Sequence, residues 1–212
     1  MSPTTLKTSP AHGLEPASSW VQRWSHLIKP QGVVLDVACG RGRHTHWFYQ
    51  LNHALALVDI NQDAIDSIAQ VIPIPSDRCE AVIADIENGP WPFAGRKFDA
   101  VVVTNYLWRP LMPTLLDSLT PGGVLIYETF AQGNETVGKP SRPDFLLRTG
   151  ELLHLCSGLR IVAFEDGFHA GLQGQSPRFI QCIAAVRKPV CAVDVSGSQN
   201  AGAASVPRYE LA

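Results

Sequence analysis

In Leu35-Asp36-Val37-Ala38-Cys39-Gly40-Arg41-Gly42, two glycines stand where an apolar run gives way to His44-Thr45-His46. Glycine lets the backbone approach a ligand closely. A helix that starts there adds unpaired N–H groups and a positive dipole end, so a carboxylate or phosphate fits. Two glycines are also compatible with a plain strand-to-helix turn. Asp59 closes the next apolar run, about 20 residues further on, where an acid can accept both hydroxyls of an adenosine ribose. Asp85 closes a third run, AVIAD. It can accept from the exocyclic amine of adenine while Ile86 covers the ring's apolar face. For both acids the competing role is a helix cap.

A second group lies downstream. Tyr106, Trp108 and Arg109 follow the apolar run FDAVVVT, and Glu128 ends GVLIYE. Open α/β sheets place ligands at the C-terminal ends of their strands, so Arg109 and Glu128 can face each other across an acceptor pocket or form a structural ion pair. The segment 132–148 carries Lys139, Arg142 and Arg148 among Gly and Pro residues, which suits a flap over that pocket or a solvated basic loop. No general base is assignable. No metal site is expected: the cysteines at 39, 79, 156, 182 and 191 show no CxxC spacing, and His44 and His46 are two apart and do not share a helix face.

The elements that must position these residues alternate. Trp20, Val21, Trp24, Leu27 and Ile28 recur at helical spacing, with Ser19 and Gln22 as a capping box, and predict a helix over 19–28. A buried strand through Val37, a helix over 42–52, a strand over 54–60 and a helix over 61–71 follow. Strands EAVIADI and FDAVVVTNYL come next, then a helix over 109–119 that includes Pro113, and TPGG turning into a fifth strand. This order predicts right-handed βαβ crossovers and a mostly parallel sheet. Residues 142–158 read as one helix, and RIVAFEDGF and RFIQCIAAVRK as two strands with no helix between them, hence an antiparallel hairpin. The organisation expected is a flexible leader over 1–17, one domain over 18–188 and a disordered tail over 189–212.

Composition restricts the partners. Of 212 residues, 45% are hydrophobic and 17% charged, and 17 Lys+Arg against 19 Asp+Glu give a formal charge of −2. That balance supplies no overall field for duplex nucleic acid or an anionic membrane. A secretory signal and a membrane-spanning run are not evident, so a cytoplasmic protein with reduced thiols is expected. The oligomeric state is left open.

Taken in order, LDVACGRGRH, LVDIN, ADIENGPWPF, FDAVVVTNYL and LTPGGVLIYETF resemble the motif series of class I S-adenosylmethionine-dependent methyltransferases, over about residues 33–187. The resemblance implies an α/β, doubly wound, seven-stranded Rossmann-like sheet ending in an antiparallel hairpin. It implies S-adenosyl-L-methionine as cofactor, with Gly40 and Gly42 facing its methionine part, Asp59 at the ribose, Asp85 with Ile86 at adenine, and Asp36, Ala38, Ile60 and Asn105 as further cofactor-binding residues. Ala38 stands where the family often has its first glycine. ACGRGRH, ETF and GNETVGKPSRPDFLLRTGELL are similar to small bacterial tellurite-resistance-protein-like methyltransferases. VTNYLWRPL replaces the Asn-Pro-Pro-aromatic sequence of enzymes acting on base amines or glutamine amides.

These features predict methyl transfer to a small polar metabolite or oxyanion, with Tyr106, Arg109, Glu128 and Arg142 as acceptor-side residues. A non-catalytic regulatory protein that binds adenosylmethionine would share the same cofactor residues. An NAD-dependent oxidoreductase is disfavoured by Thr45 at the third glycine position of GxGxxG and by the terminal hairpin.

Overall fold

The computed structural model describes residues 15–171, 176–188 and 207–211. The leader expected over 1–17 lies outside the described residues as far as residue 14, and so does the tail over 189–206 and at 212. Within the described flanks, Ala17 is buried and Tyr209 packs against the core.

The chain forms β1 (Val33–Val37), α2 (Arg43–Gln50), β2 (Ala54–Asp59), α3 (Gln62–Ala69), β3 (Cys79–Ile83) and β4 (Phe98–Thr104) after a first short helix, α1 (Ser19–Trp24). It continues through α4 (Met112–Asp117), β5 (Leu119–Phe130), α5 (Glu151–Leu155), β6 (Arg160–His169) and β7 (Arg178–Val186). The seven strands run in the order β3-β2-β1-β4-β5-β7-β6. All pair in parallel except β7, which is antiparallel to both β5 and β6. This is the doubly wound sheet and terminal hairpin expected from the sequence. Strand order reverses between β1 and β4, and the crevice beyond their C-terminal ends is where such a sheet leaves room for ligands.

Alternation along the strands builds two cores, because successive side chains point to opposite faces. Leu35, Val37, Val101, Val103, Leu125 and Tyr127 meet Met112 and Leu115 of α4 and Leu152 of α5. Val34, Ala100, Val102, Val124 and Ile126 meet Trp20 and Trp24 of α1, Phe48 of α2 and Ile68 of α3. The central strands β1, β2 and β4 are buried on both faces, which is why they read as continuous apolar runs.

Three local expectations are corrected. The cap of α1 is Ser18, not Ser19: its Oγ accepts from the Val21 N–H at 3.1 Å, and a 3₁₀ turn over Ser25–Leu27 replaces the last helical turn. The helix expected over 142–158 is broken. Leu147 pairs with Ala131 as an isolated parallel bridge, so the chain is extended there, and α5 starts only after Gly150 at φ +67°. Burying Leu146 and Leu147 through strand-like pairing outweighs the helical period. The third strand ends at Ile83, which leaves Asp85 in the loop beyond it.

Candidate active site

At the end of β1 the backbone turns through three left-handed residues: Ala38 at φ +51°, Gly40 at +53° and Gly42 at +81°. Gly42 caps α2 in close packing, and a Cβ there would lie 2.6 Å from Ile68 Cγ1. Gly40 is different, since a Cβ on it would meet nothing within 4 Å. That open space belongs to a cavity of about 320 Å³ lined by residues 38–44 and by Glu15, Thr104, Asn105 and Tyr106.

The acids lie around this turn in distinct states. Asp36 is 2% exposed and accepts from Thr45 Oγ1 at 2.7 Å. Burial pushes its pKa up to about 7, against the lowering effects of Thr45 and Arg43. Asp59 accepts from the Gly40 N–H at 2.8 Å through Oδ2 and from the Asn61 N–H at 2.9 Å through Oδ1. Its carboxylate therefore fixes the glycine turn as well as ending β2. Ile60 beside it is 67% exposed.

Asp85 caps its own loop, accepting from the Glu87 and Asn88 N–H groups at 2.9 and 3.0 Å and from Asn88 Nδ2 at 3.0 Å. These bonds hold its carboxyl below the usual range. Ile86 packs against the first core. Ala84 N–H donates to Asp59 O at 3.0 Å, so the Asp59 and Asp85 segments lie side by side. None of Asp59, Ile60, Asp85 and Ile86 lines the cavity at the glycine turn.

Sequence reasoning missed the far wall of that cavity. His44 Nε2 accepts from the Ser18 N–H at 3.2 Å, which leaves the proton on Nδ1 to donate to Thr104 Oγ1 at 3.2 Å. One neutral ring thus ties the N-terminal segment to the end of β4. Burial, then the neighbouring Arg43, pushes its pKa down to about 3. Arg43 also lines the cavity and has a buried Nη2 without a hydrogen-bond partner. Its position one residue after Gly42 was the available signal. The reach of Glu15 and Ser18 over the turn left no such trace.

Asn105 sits at φ +54°, with its N–H donating to Glu128 O at 2.9 Å. Asn105 and Tyr106 border a second cavity of about 270 Å³, whose wall also includes Glu87, Thr129, Phe130 and Phe145. The same two residues line both cavities. The Tyr106 hydroxyl is buried without a hydrogen-bond partner.

Arg109 and Glu128 are not brought together, and the facing pair read from the sequence is corrected. Arg109 grips Glu151 with two bonds of 2.6 and 3.0 Å and donates to the carbonyls of Asp144 and Leu146 at 2.8 Å. Its fork matches the carboxylate and leaves little for a ligand. Glu128, 2% exposed, has Arg178 as its charged neighbour at 3.8 Å. Arg142 is exposed, pairs with Asp144 at 3.1 Å and lies 5.2 Å from the Phe145 ring centre. Lys139 and Arg148 are exposed. Among the described residues no cluster of His, Cys, Asp and Glu is arranged to hold a metal, the four described cysteines are buried and free, and no helix is long and apolar enough to cross a membrane.

Residues 34–123 match the family described as a methyltransferase domain. No curated protein matches the chain. Among solved structures it is similar to TehB from Haemophilus influenzae, at 17% identity and a TM-score of 0.65, over 86% of this chain and 64% of that one. It thus spans less than two thirds of that protein's length. A TehB-like SAM-dependent methyltransferase from Corynebacterium glutamicum matches at 17% identity and 0.56, over 80% of this chain and 86% of that one. The glycopeptide N-methyltransferase MtfA in complex with S-adenosyl-L-homocysteine matches at 17% and 0.58, over 82% and 90%. Residues 34–123 therefore resemble a methyltransferase domain, and the described chain has the fold of the class I S-adenosylmethionine-dependent methyltransferases, similar to the TehB-like proteins among them.

Proposed function

We propose that this chain transfers a methyl group from S-adenosylmethionine to a small-molecule acceptor. The observation that carries the reading is the shared wall: Asn105 and Tyr106 separate a cavity at the glycine turn from a second cavity, so a donor and an acceptor can meet there. The residues of the turn fit the cofactor. The space above Gly40 admits a ligand, and the unpartnered Nη2 of Arg43 can donate to the methionine carboxylate. Asp36, Ala38, Gly40 and Gly42 shape that end. Asp59 with Ile60 would take the ribose, Asp85 with Ile86 the adenine, and Asn105 the approach to the acceptor. The complex of MtfA with S-adenosyl-L-homocysteine on the same fold supports this assignment.

S-adenosylmethionine supplies a methyl group already activated by a cationic sulfur. The chain's own residues then have to align the acceptor and keep water out. That is consistent with a site holding no nucleophile–base–acid series. The acceptor is a small metabolite that a cavity of about 270 Å³ holds. The oxyanion alternative loses its support, because Arg109, Lys139, Arg142 and Arg148 do not line that cavity. A near-neutral net charge speaks against duplex nucleic acid.

Calorimetric titration with S-adenosylmethionine, S-adenosyl-L-homocysteine and NAD is the test, followed by a screen of pooled small metabolites for methyl incorporation. Binding of the first two and transfer to a small molecule are expected. NAD binding without adenosylmethionine binding would overturn the cofactor assignment. Tight cofactor binding with no transfer to any pool would favour a regulatory protein.

A further inference from the structure

The second cavity has an unusual wall. Three of its lining residues are aromatic, Tyr106, Phe130 and Phe145, and Glu87 is its one charged lining residue. The Tyr106 hydroxyl is buried, with the Glu87 carboxylate as its neighbour. Burial raises the hydroxyl's pKa, and the nearby carboxylates of Glu87 and Asp85 add to the effect. Arg109 is spent on Glu151 and two carbonyls, and Arg142, over Phe145, is offset by Asp144.

We propose that this cavity binds an amine-bearing small molecule, with its nitrogen between Glu87 and the Tyr106 hydroxyl and its carbon skeleton against Phe130 and Phe145. The proposal rests on the methyltransferase reading above and makes the amine nitrogen the methyl acceptor. Aromatic faces attract cations, and a carboxylate accepts the N–H groups that an ammonium must keep satisfied. An anionic acceptor would meet Glu87 with like charge and find no cation in the cavity lining.

An ammonium has no lone pair to give, so one proton first passes to the Glu87 carboxylate, which is exposed and returns it to solvent. The free lone pair then forms the N–C bond while the C–S bond breaks with its electrons left on sulfur. Amine plus sulfonium become methylammonium plus thioether, and charge is conserved.

The experiment titrates the full chain, with and without S-adenosyl-L-homocysteine, with 2-phenylethylamine, 3-phenylpropionate and 2-phenylethanol. These share a ring and differ in charge. The amine is expected to bind at least about tenfold more tightly than the carboxylate. Glu87→Gln should lower amine affinity about fivefold or more, as for a partly solvated charge-assisted bond, and leave the alcohol and S-adenosyl-L-homocysteine unchanged. A carboxylate that binds as well as the amine, binding by none of the three, or unchanged amine affinity in Glu87→Gln overturns the proposal. Amine preference without S-adenosyl-L-homocysteine binding sustains the amine site and sinks the methyltransferase reading. The reverse result sinks the amine site alone.

Discussion

Ala38 shows how a single side chain can be read against its backbone. A left-handed alanine costs about 1–2 kcal/mol, while glycine adds about 0.4–1 kcal/mol of unfolded-state freedom. Ala38→Gly should therefore stabilise the protein by roughly 0.5–1 kcal/mol, read as a higher urea midpoint. The two glycines of the turn should respond differently to alanine. Gly42→Ala drives a methyl into Ile68 and should cost on the order of 2 kcal/mol. Gly40→Ala meets open space and should cost little beyond backbone strain, yet weaken S-adenosyl-L-homocysteine binding severely by filling the cavity. Equal affinity in Gly40→Ala and wild type would place the ligand elsewhere. Asp59→Ala should lower cofactor affinity about tenfold to a hundredfold, as for a charged group bonded to hydroxyls. Because Asp59 also accepts from Gly40 and Asn61, it should in addition lose about 1 kcal/mol of stability in the same urea series.

At the scale of elements, Arg109 is a clamp. It fastens the segment 142–151 to the end of β4 through Glu151 and the carbonyls of Asp144 and Leu146. Burial alone would raise the Glu151 pKa, but the bonds from Arg109 and the Arg148 N–H, with the charges of both arginines, together outweigh it and hold the carboxyl low. Both side chains keep some solvent contact, at 33% and 14%, so the pair is worth about 1–2 kcal/mol rather than the value of a fully buried one. Arg109→Ala should speed amide exchange over residues 142–150 and raise the acceptor KM, since Phe145 rides on this segment, while S-adenosyl-L-homocysteine affinity stays at the wild-type value. Wild-type exchange in that variant would mean that the bridge of Leu147 to Ala131 holds the segment alone.

For the whole molecule, two buried groups at the crevice impose opposite pH dependences. Asp36 has a folded pKa raised to about 7 from 3.8, so its contribution is complete below pH 3.8 and is lost as pH rises through 7. His44 has a folded pKa lowered to about 3 from 6.5, so its contribution is complete above pH 6.5 and is lost as pH falls toward 3. Between these limits the two slopes cancel. Asp36→Asn should remove one of them, becoming progressively more stable than wild type from pH 4 to pH 8 by a few kcal/mol, at up to about 1.4 kcal/mol per pH unit. Denaturant midpoints across that range read the difference, and a constant offset would show that Asp36 is not the titrating group. The sequence by itself determined the order of strands and helices, the terminal hairpin and the turn at Gly40 and Gly42, because hydrophobic period and glycine spacing act over a few residues. Tertiary structure alone decided that Arg109 grips Glu151, that Glu128 lies beside Arg178, and that His44 joins Ser18 to Thr104. It also broke the helical pattern of 142–158 by pairing Leu147 with Ala131. Those outcomes depend on which charges and apolar side chains meet across 16 to 60 residues of chain, and no local spacing records such a meeting.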